Sequence, residues 1–216
     1  MALNLRPPIT YLITNGKTSS ETHPQSKAFA RLLVLVQAAV SARVDLLQIR
    51  EKNLSARTLY ELTTRAAAIT RGSRTRLLVN DRADIARAAR ADGVHLTTRS
   101  LEARTVRRAF GDCLLIGVST HSLQEARAAL TGGADFAVFG PVFETASKRA
   151  YGPAVGLEKL REAARSVSPF PLLALGGITL ENAAAAINAG ASGVAAIRLF
   201  NDPHKLEATV HTIHGD

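Results

Sequence analysis

Three residues in the run Gln48-Ile49-Arg50-Glu51-Lys52 fall on one side if the segment is extended, because successive side chains of a strand alternate between faces. Gln48, Arg50 and Lys52 then form a cationic cradle suited to phosphate oxygens. Asn80-Asp81 adds an amide and a carboxylate, and a carboxylate can hold the Mg2+ that bridges a diphosphate. Ser119-Thr120-His121 supplies hydroxyls and an imidazole able to move protons near neutral pH, and Thr145, Ser147 and Lys148 add hydroxyls and a further cation. Gly176-Gly177, between an apolar run and Thr179-Leu180-Glu181-Asn182, allows a phosphomonoester to approach backbone N–H groups at a helix start. The chemistry these types allow is the handling of phosphorylated substrates and the departure of an anion. Plainer readings exist for some of them. Asn80-Asp81 could only cap a helix starting near Arg82, two glycines could only make a tight turn, and His121 could be a packing residue.

Such groups need a scaffold that gathers distant segments at one end. Strand-like apolar runs at 9–14, 45–50, 76–80, 93–97, 114–119, 136–140, 171–176 and 193–197 are each followed by a helix-length segment. Alternating βα units predict a parallel sheet, and eight of them predict a closed (β/α)8 TIM barrel spanning 1–216 as a single domain. A doubly wound open sheet normally carries a glycine-rich dinucleotide turn after its first strand, and this chain has Thr14-Asn15-Gly16-Lys17 there. In a barrel, catalytic residues lie at the C-terminal strand ends, where the polar residues above fall. A central strand has no solvent face, so inward-pointing Gln48 and Arg50 call for a polar ligand at the mouth. A weak repeat, Ala91-Asp92-Gly93, Ala134-Asp135-Phe136 and Ala191-Ser192-Gly193, precedes three of the strands.

Composition agrees with this class. The chain is 46% hydrophobic but only 5% aromatic, which describes a core of Ala, Val, Leu and Ile. No apolar run approaches the ~20 residues of a membrane span, and the polar, proline-containing segment 1–24 lacks the apolar stretch of a signal peptide, so the expected location is the cytoplasm. The single Cys113, in an apolar run, is expected to be buried in a strand and inert. A net charge of +9 raises the question of a nucleic-acid partner, but the arginines are scattered at helical spacing without interleaved aromatics, so the expected partners are small phosphorylated molecules. These patterns are compatible with a homo-oligomer and give no membrane partner.

Taken with Ala91-Asp92-Gly93-Val94-His95-Leu96, Gly117-Val118-Ser119-Thr120-His121-Ser122 and Gly140-Pro141-Val142-Phe143, these motifs make nearly the whole chain resemble the thiamin phosphate synthase/TenI family. The resemblance implies a barrel that joins hydroxymethylpyrimidine diphosphate to thiazole phosphate, with Mg2+-assisted loss of diphosphate. It further implies that Gln48, Arg50, Lys52, Asn80 and Lys148 hold the diphosphate, Asp81 the Mg2+, and that Ser119 approaches the pyrimidine. Thr145, Ser147, Gly177 and the strand-eight backbone would hold the thiazole phosphate. One departure matters: where the synthases usually continue His-Leu-Gly-Gln-acid-Asp, this chain reads His95-Leu96-Thr97-Thr98-Arg99-Ser100, so a second carboxylate ligand is missing and a weakened Mg2+ site is expected. Phe143-Glu144-Thr145 looks more like the TenI branch, which implies the alternatives of a thiazole tautomerase using His121 as acid/base or of a non-catalytic regulatory barrel. Another phosphate-binding barrel, such as an epimerase or indole-pathway enzyme, is disfavoured because its catalytic carboxylate or lysine pairs are not evident.

Overall fold

The computed structural model describes residues 5–144 and 154–215. Eight strands, β1 (Ile9–Ile13), β2 (Leu46–Ile49), β3 (Arg76–Asn80), β4 (Gly93–Leu96), β5 (Leu115–Thr120), β6 (Phe136–Phe139), β7 (Leu172–Leu175) and β8 (Gly193–Ala196), pair in parallel in chain order. β8 pairs back onto β1, with Ile9 opposite Gly193, so the sheet closes into a barrel. Each strand lies within one residue of its expected ends. The outer ring is α1 (Lys27–Ser41), α2 (Ala56–Thr70), α3 (Ala83–Ala88), α4 (Ala103–Phe110), α5 (Leu123–Thr131), α6 (Gly156–Val167), α7 (Leu180–Asn188) and α8 (Leu206–His214). None of the helices described is long and apolar enough to cross a membrane.

Strand alternation sorts the core into two layers. Leu12, Leu47, Leu77, Val94 and Ile116 point outward against the helices, whose own buried faces are rich in alanine, while Ile9, Tyr11, Leu46, Leu78, Phe136 and Leu173 fill the barrel interior. Serine caps set the starts of several helices: Ser26, Ser55 and Ser122 each accept a hydrogen bond from the backbone N–H three residues on.

Two members of the repeat before the strands, those with Asp92 and Asp135, have a physical cause at the N-terminal face. Asp92, just before β4, accepts from Leu77 N–H at 2.8 Å, and Asp135, just before β6, accepts from Ile116 N–H at 2.7 Å. Asp45, before β2, does the same for Thr10 N–H at 2.9 Å. Each carboxylate therefore ties the start of an even-numbered strand to its odd-numbered neighbour, and each is paired with an arginine: Arg76, Arg107 and Arg74 respectively. Part of the positive charge is thus used at the closed end of the barrel, far from the mouth.

Cys113 departs from expectation. It is exposed at the end of a 3-10 turn, Gly111–Cys113, and β5 begins only at Leu115. Gly111, at φ 56°, ends α4 and carries the chain round the outside before it enters the barrel at the buried Leu114.

Candidate active site

A line of polar side chains crosses the barrel interior near the C-terminal ends of β1, β2, β4 and β5. Gln48 Nε2 donates to Tyr11 Oη at 2.7 Å, Tyr11 Oη lies 3.2 Å from His95 Nδ1, and His95 Nε2 lies 2.9 Å from Ser119 Oγ. Gln48, Tyr11 and His95 are buried, whereas Ser119 is half-buried and, with Thr97 and Ser100, borders a groove that runs between α4 and α5 past Leu101, Arg104, Ala128 and Gly132. Gln48 does point inward as strand alternation requires, but its amide is met by Tyr11 within the barrel. The need for a polar partner is therefore satisfied partly by the protein itself. Gly117 makes room for this line: a Cβ there would stand 2.3 Å from Phe136 Cζ and 2.8 Å from His95 Nδ1.

Burial sets the charge state of the line. It pushes the Tyr11 hydroxyl well above the ordinary phenol range. Burial, opposed by nearby Asp81 and reinforced by Arg50, lowers the His95 pKa from 6.5 to about 4. A histidine that stays neutral in the folded state while the unfolded chain takes up a proton makes stability fall as pH drops from about 6.5 to about 4. The shift corresponds to about 3 kcal/mol. In urea unfolding with a chelator present, the parent should lose about that much more stability between pH 7 and pH 4 than His95→Gln, which has no such proton to bind. Parallel losses in the two proteins would show that His95 carries no such linkage.

At the end of β3 the chain turns sharply. Asp81 has a left-handed backbone, φ 61°, with its N–H donated to the His95 carbonyl at 2.9 Å. Its exposed carboxylate accepts from Asn80 Nδ2 at 2.7 Å and from the Ser100 hydroxyl. Ser100 also accepts from Thr97 N–H at 2.6 Å, which fixes the 97–100 turn beside Asp81. Helix α3 starts with Arg82 at its N-cap and no side-chain cap bond, so Asp81 is not a capping residue. A left-handed aspartate costs of order 1 kcal/mol, and such strain persists where surrounding contacts hold a group for use. Asn80 Oδ1 is the one buried side-chain oxygen or nitrogen among the described residues that lacks a partner.

Arg50 follows β2 and receives support from β1: its N–H donates to Thr14 Oγ1 at 2.9 Å, and its guanidinium lies against Gly16. Glu51 is buried and clamps the chain after β1, accepting from Gly16 N–H at 3.1 Å, Thr18 N–H at 3.2 Å and Thr18 Oγ1 at 2.7 Å. The expected alternation stops short here. β2 ends at Ile49, so Lys52 sits in a turn with an exposed side chain rather than on the face of Gln48.

Gly176 and Gly177 adopt φ 97° and 66°, and added Cβ atoms would stand 2.5 Å from Pro141 and 2.6 Å from the Glu144 carbonyl. The glycine turn therefore serves packing as well as access, since Val142 and Phe143 N–H donate to the Leu175 and Gly176 carbonyls at 2.7 and 2.9 Å. Asn182 closes the turn, accepting from Thr179 N–H and donating to the Gly177 carbonyl at 2.8 Å, at the start of α7. After β8 comes a turn tied by Asn201 to the Ile13 and Ile197 carbonyls. His121 is exposed at the rim, with Nδ1 bonded to the Gly140 carbonyl. Thr145, Ser147 and Lys148 lie outside the described residues. Residue type alone singles out neither Tyr11 nor the roles of Glu51 and His95; the inward register of β1 and β4 is the signal that could have found Tyr11 and His95.

A family model described as thiamine monophosphate synthase matches residues 11–200. The chain belongs to that family. The chain is similar to a thiamine-phosphate synthase of Anaeromyxobacter dehalogenans (strain 2CP-C), 44% identical over 161 residues that cover 74% of this chain and 72% of that one. Another, from Roseiflexus sp. (strain RS-1), is 37% identical over 206 residues, 95% of this chain and 84% of the relative. The solved thiamine phosphate pyrophosphorylase from Pyrococcus furiosus superposes with a TM-score of 0.80 at 28% identity, over 96% of this chain and 94% of that structure. The family and fold expected from the motifs are both borne out.

Proposed function

We propose that the protein is a thiamine-phosphate synthase that joins hydroxymethylpyrimidine diphosphate to thiazole phosphate and releases diphosphate. The observation that carries this beyond family membership is the pairing of Asp81, Ser100 and the unpartnered Asn80 Oδ1 at the barrel mouth, with Arg50 near enough to act on the same His95. Hard oxygen donors beside a cation suit a departing polyphosphate, and a tautomerase acting on the thiazole alone has little use for them.

These donors fit Mg2+, which when bound takes up charge from the leaving diphosphate. Asp81 would supply the carboxylate, and Asn80 and Ser100 neutral oxygens. No group of three or more His, Cys, Asp or Glu residues gathers among the described residues, so Asp81 would be the carboxylate the protein offers there. Arg50, with Lys52 and Lys148, would hold diphosphate oxygens, and Gln48 would border them. The C–O bond to diphosphate breaks with its electron pair, and the thiazole nitrogen lone pair forms the new C–N bond to the pyrimidine methylene. Ser119 would contact the pyrimidine, while Thr145, Ser147 and the Gly176-Gly177 turn at the start of α7 would hold the thiazole phosphate. His121 has no proton to transfer in this scheme and borders the site at its rim. Small phosphorylated molecules are thus its partners, and the cytoplasm, where such substrates occur, is its proposed location.

An assay with thiazole phosphate alone, and with both substrates plus or minus Mg2+, tests this. Thiamine phosphate should form only when both substrates and metal are present. Isomerisation of thiazole phosphate alone, with no coupled product, would favour the tautomerase reading.

A further inference from the structure

The polar line through the barrel has a direction. Gln48 Nε2 has only protons to offer Tyr11 Oη, so the phenol oxygen accepts and its single proton turns toward His95 Nδ1. Nδ1 then accepts, and a neutral imidazole carries its one proton on Nε2, which faces Ser119 Oγ at 2.9 Å. Ser119 Oγ accepts that proton, which anchors the hydroxyl and leaves one lone pair and its own proton for a second partner. Packing holds the line in place: Tyr11 is fully buried, its ring meets Phe136 edge-on at 5.6 Å, and Gly117 leaves no slack beside His95.

We infer that Tyr11 and His95 are positioning residues that hold the Ser119 hydroxyl in one place for the substrate, with the imidazole proton of His95 on Nε2. This deepens the proposed reaction and rests on it for the substrate group that meets Ser119. A hydroxyl held by a buried imidazole is already placed when the substrate arrives, so less freedom is lost on binding than from a freely moving one.

The tautomer can be read without any turnover. In a 15N spectrum of the ligand-free protein at neutral pH, with the His95 signals assigned by their loss in His95→Gln, Nε2 should carry the proton and Nδ1 should be bare. A proton on Nδ1 overturns the inference outright, whatever reaction the protein performs. In Tyr11→Phe the phenol donor is lost and Nδ1 is no longer held as an acceptor. The KM for the pyrimidine diphosphate should then rise about tenfold, the worth of one well-placed hydrogen bond, while the KM for thiazole phosphate stays constant. In a Ser119→Ala background the same change should alter either KM by less than about twofold, because the two residues act as one unit. Equal effects of Tyr11→Phe in both backgrounds would mean that Tyr11 acts only through packing, and would overturn the relay. If neither protein forms thiamine phosphate, the proposed reaction fails while the 15N result still decides the relay.

Discussion

Asp81→Asn is expected to lower the rate of thiamine phosphate formation by about a hundredfold, the loss typical when one electrostatic partner of a developing charge is removed. Asn80 and Ser100 remain, so a neutral site persists, and part of the loss should be recovered at high Mg2+ concentration. The opposite change is available because residue 100 donates its hydroxyl directly to the Asp81 carboxylate. Ser100→Asp places a second carboxylate there. Without metal the two like charges repel, and with metal they share it. The variant should therefore melt lower than the parent in chelator and be restored by Mg2+, with metal affinity up by about tenfold or more, since affinity in oxygen-ligated sites tracks the number of charged ligands. Arg99, exposed on the same turn, opposes a cation, so Arg99→Glu in addition should enlarge the gain. Magnesium-insensitive melting of Ser100→Asp would show that residues 81 and 100 do not form a metal site.

Gly177→Ala should destabilise the protein by about 2–4 kcal/mol and abolish saturable binding of thiazole phosphate, because two costs coincide. The left-handed backbone at φ 66° strains any residue with a Cβ, and that Cβ would lie 2.6 Å from the backbone oxygen of Glu144 and 2.7 Å from Phe143 Cβ. Neither neighbour is the yielding end of a flexible chain. Relief requires the turn before α7 to move away from the segment after β6, and a phosphate held between them would lose its cradle. Urea unfolding and calorimetric titration with thiazole phosphate measure the two effects separately. Normal stability with normal binding would mean the glycine pair has neither role.

The barrel was legible in the sequence because eight apolar runs recur with helix-length spacing, a periodicity that survives without any contact information. The ends of strands were less so. Lys52 was aligned with Gln48 and Arg50 by alternation, but the chain leaves β2 at Ile49 and Glu51 folds back to bind the segment after β1, so the alternation has no strand to run on. Cys113 looked like strand because its neighbours are apolar, whereas Gly111 bends the chain one turn earlier. In the site, Asp81 and Ser100 could be related only through the family's motif, since 19 residues separate them, and the hydrogen bond between them is what the fold adds. Tyr11 was hidden in an apolar run as an ordinary core aromatic. Its role depends on which side chains of β2 and β4 meet it across the barrel, and pairwise contact of that kind leaves no trace in spacing.

The most direct measurement of the central claim is the stoichiometry of a single turnover with both substrates and Mg2+. One diphosphate should be released for each thiamine phosphate formed, and both should slow together by about a hundredfold in Asp81→Asn. Saturable binding of thiazole phosphate with neither product, in the parent and in Ser100→Asp alike, would contradict it and leave a binding barrel in place of a synthase.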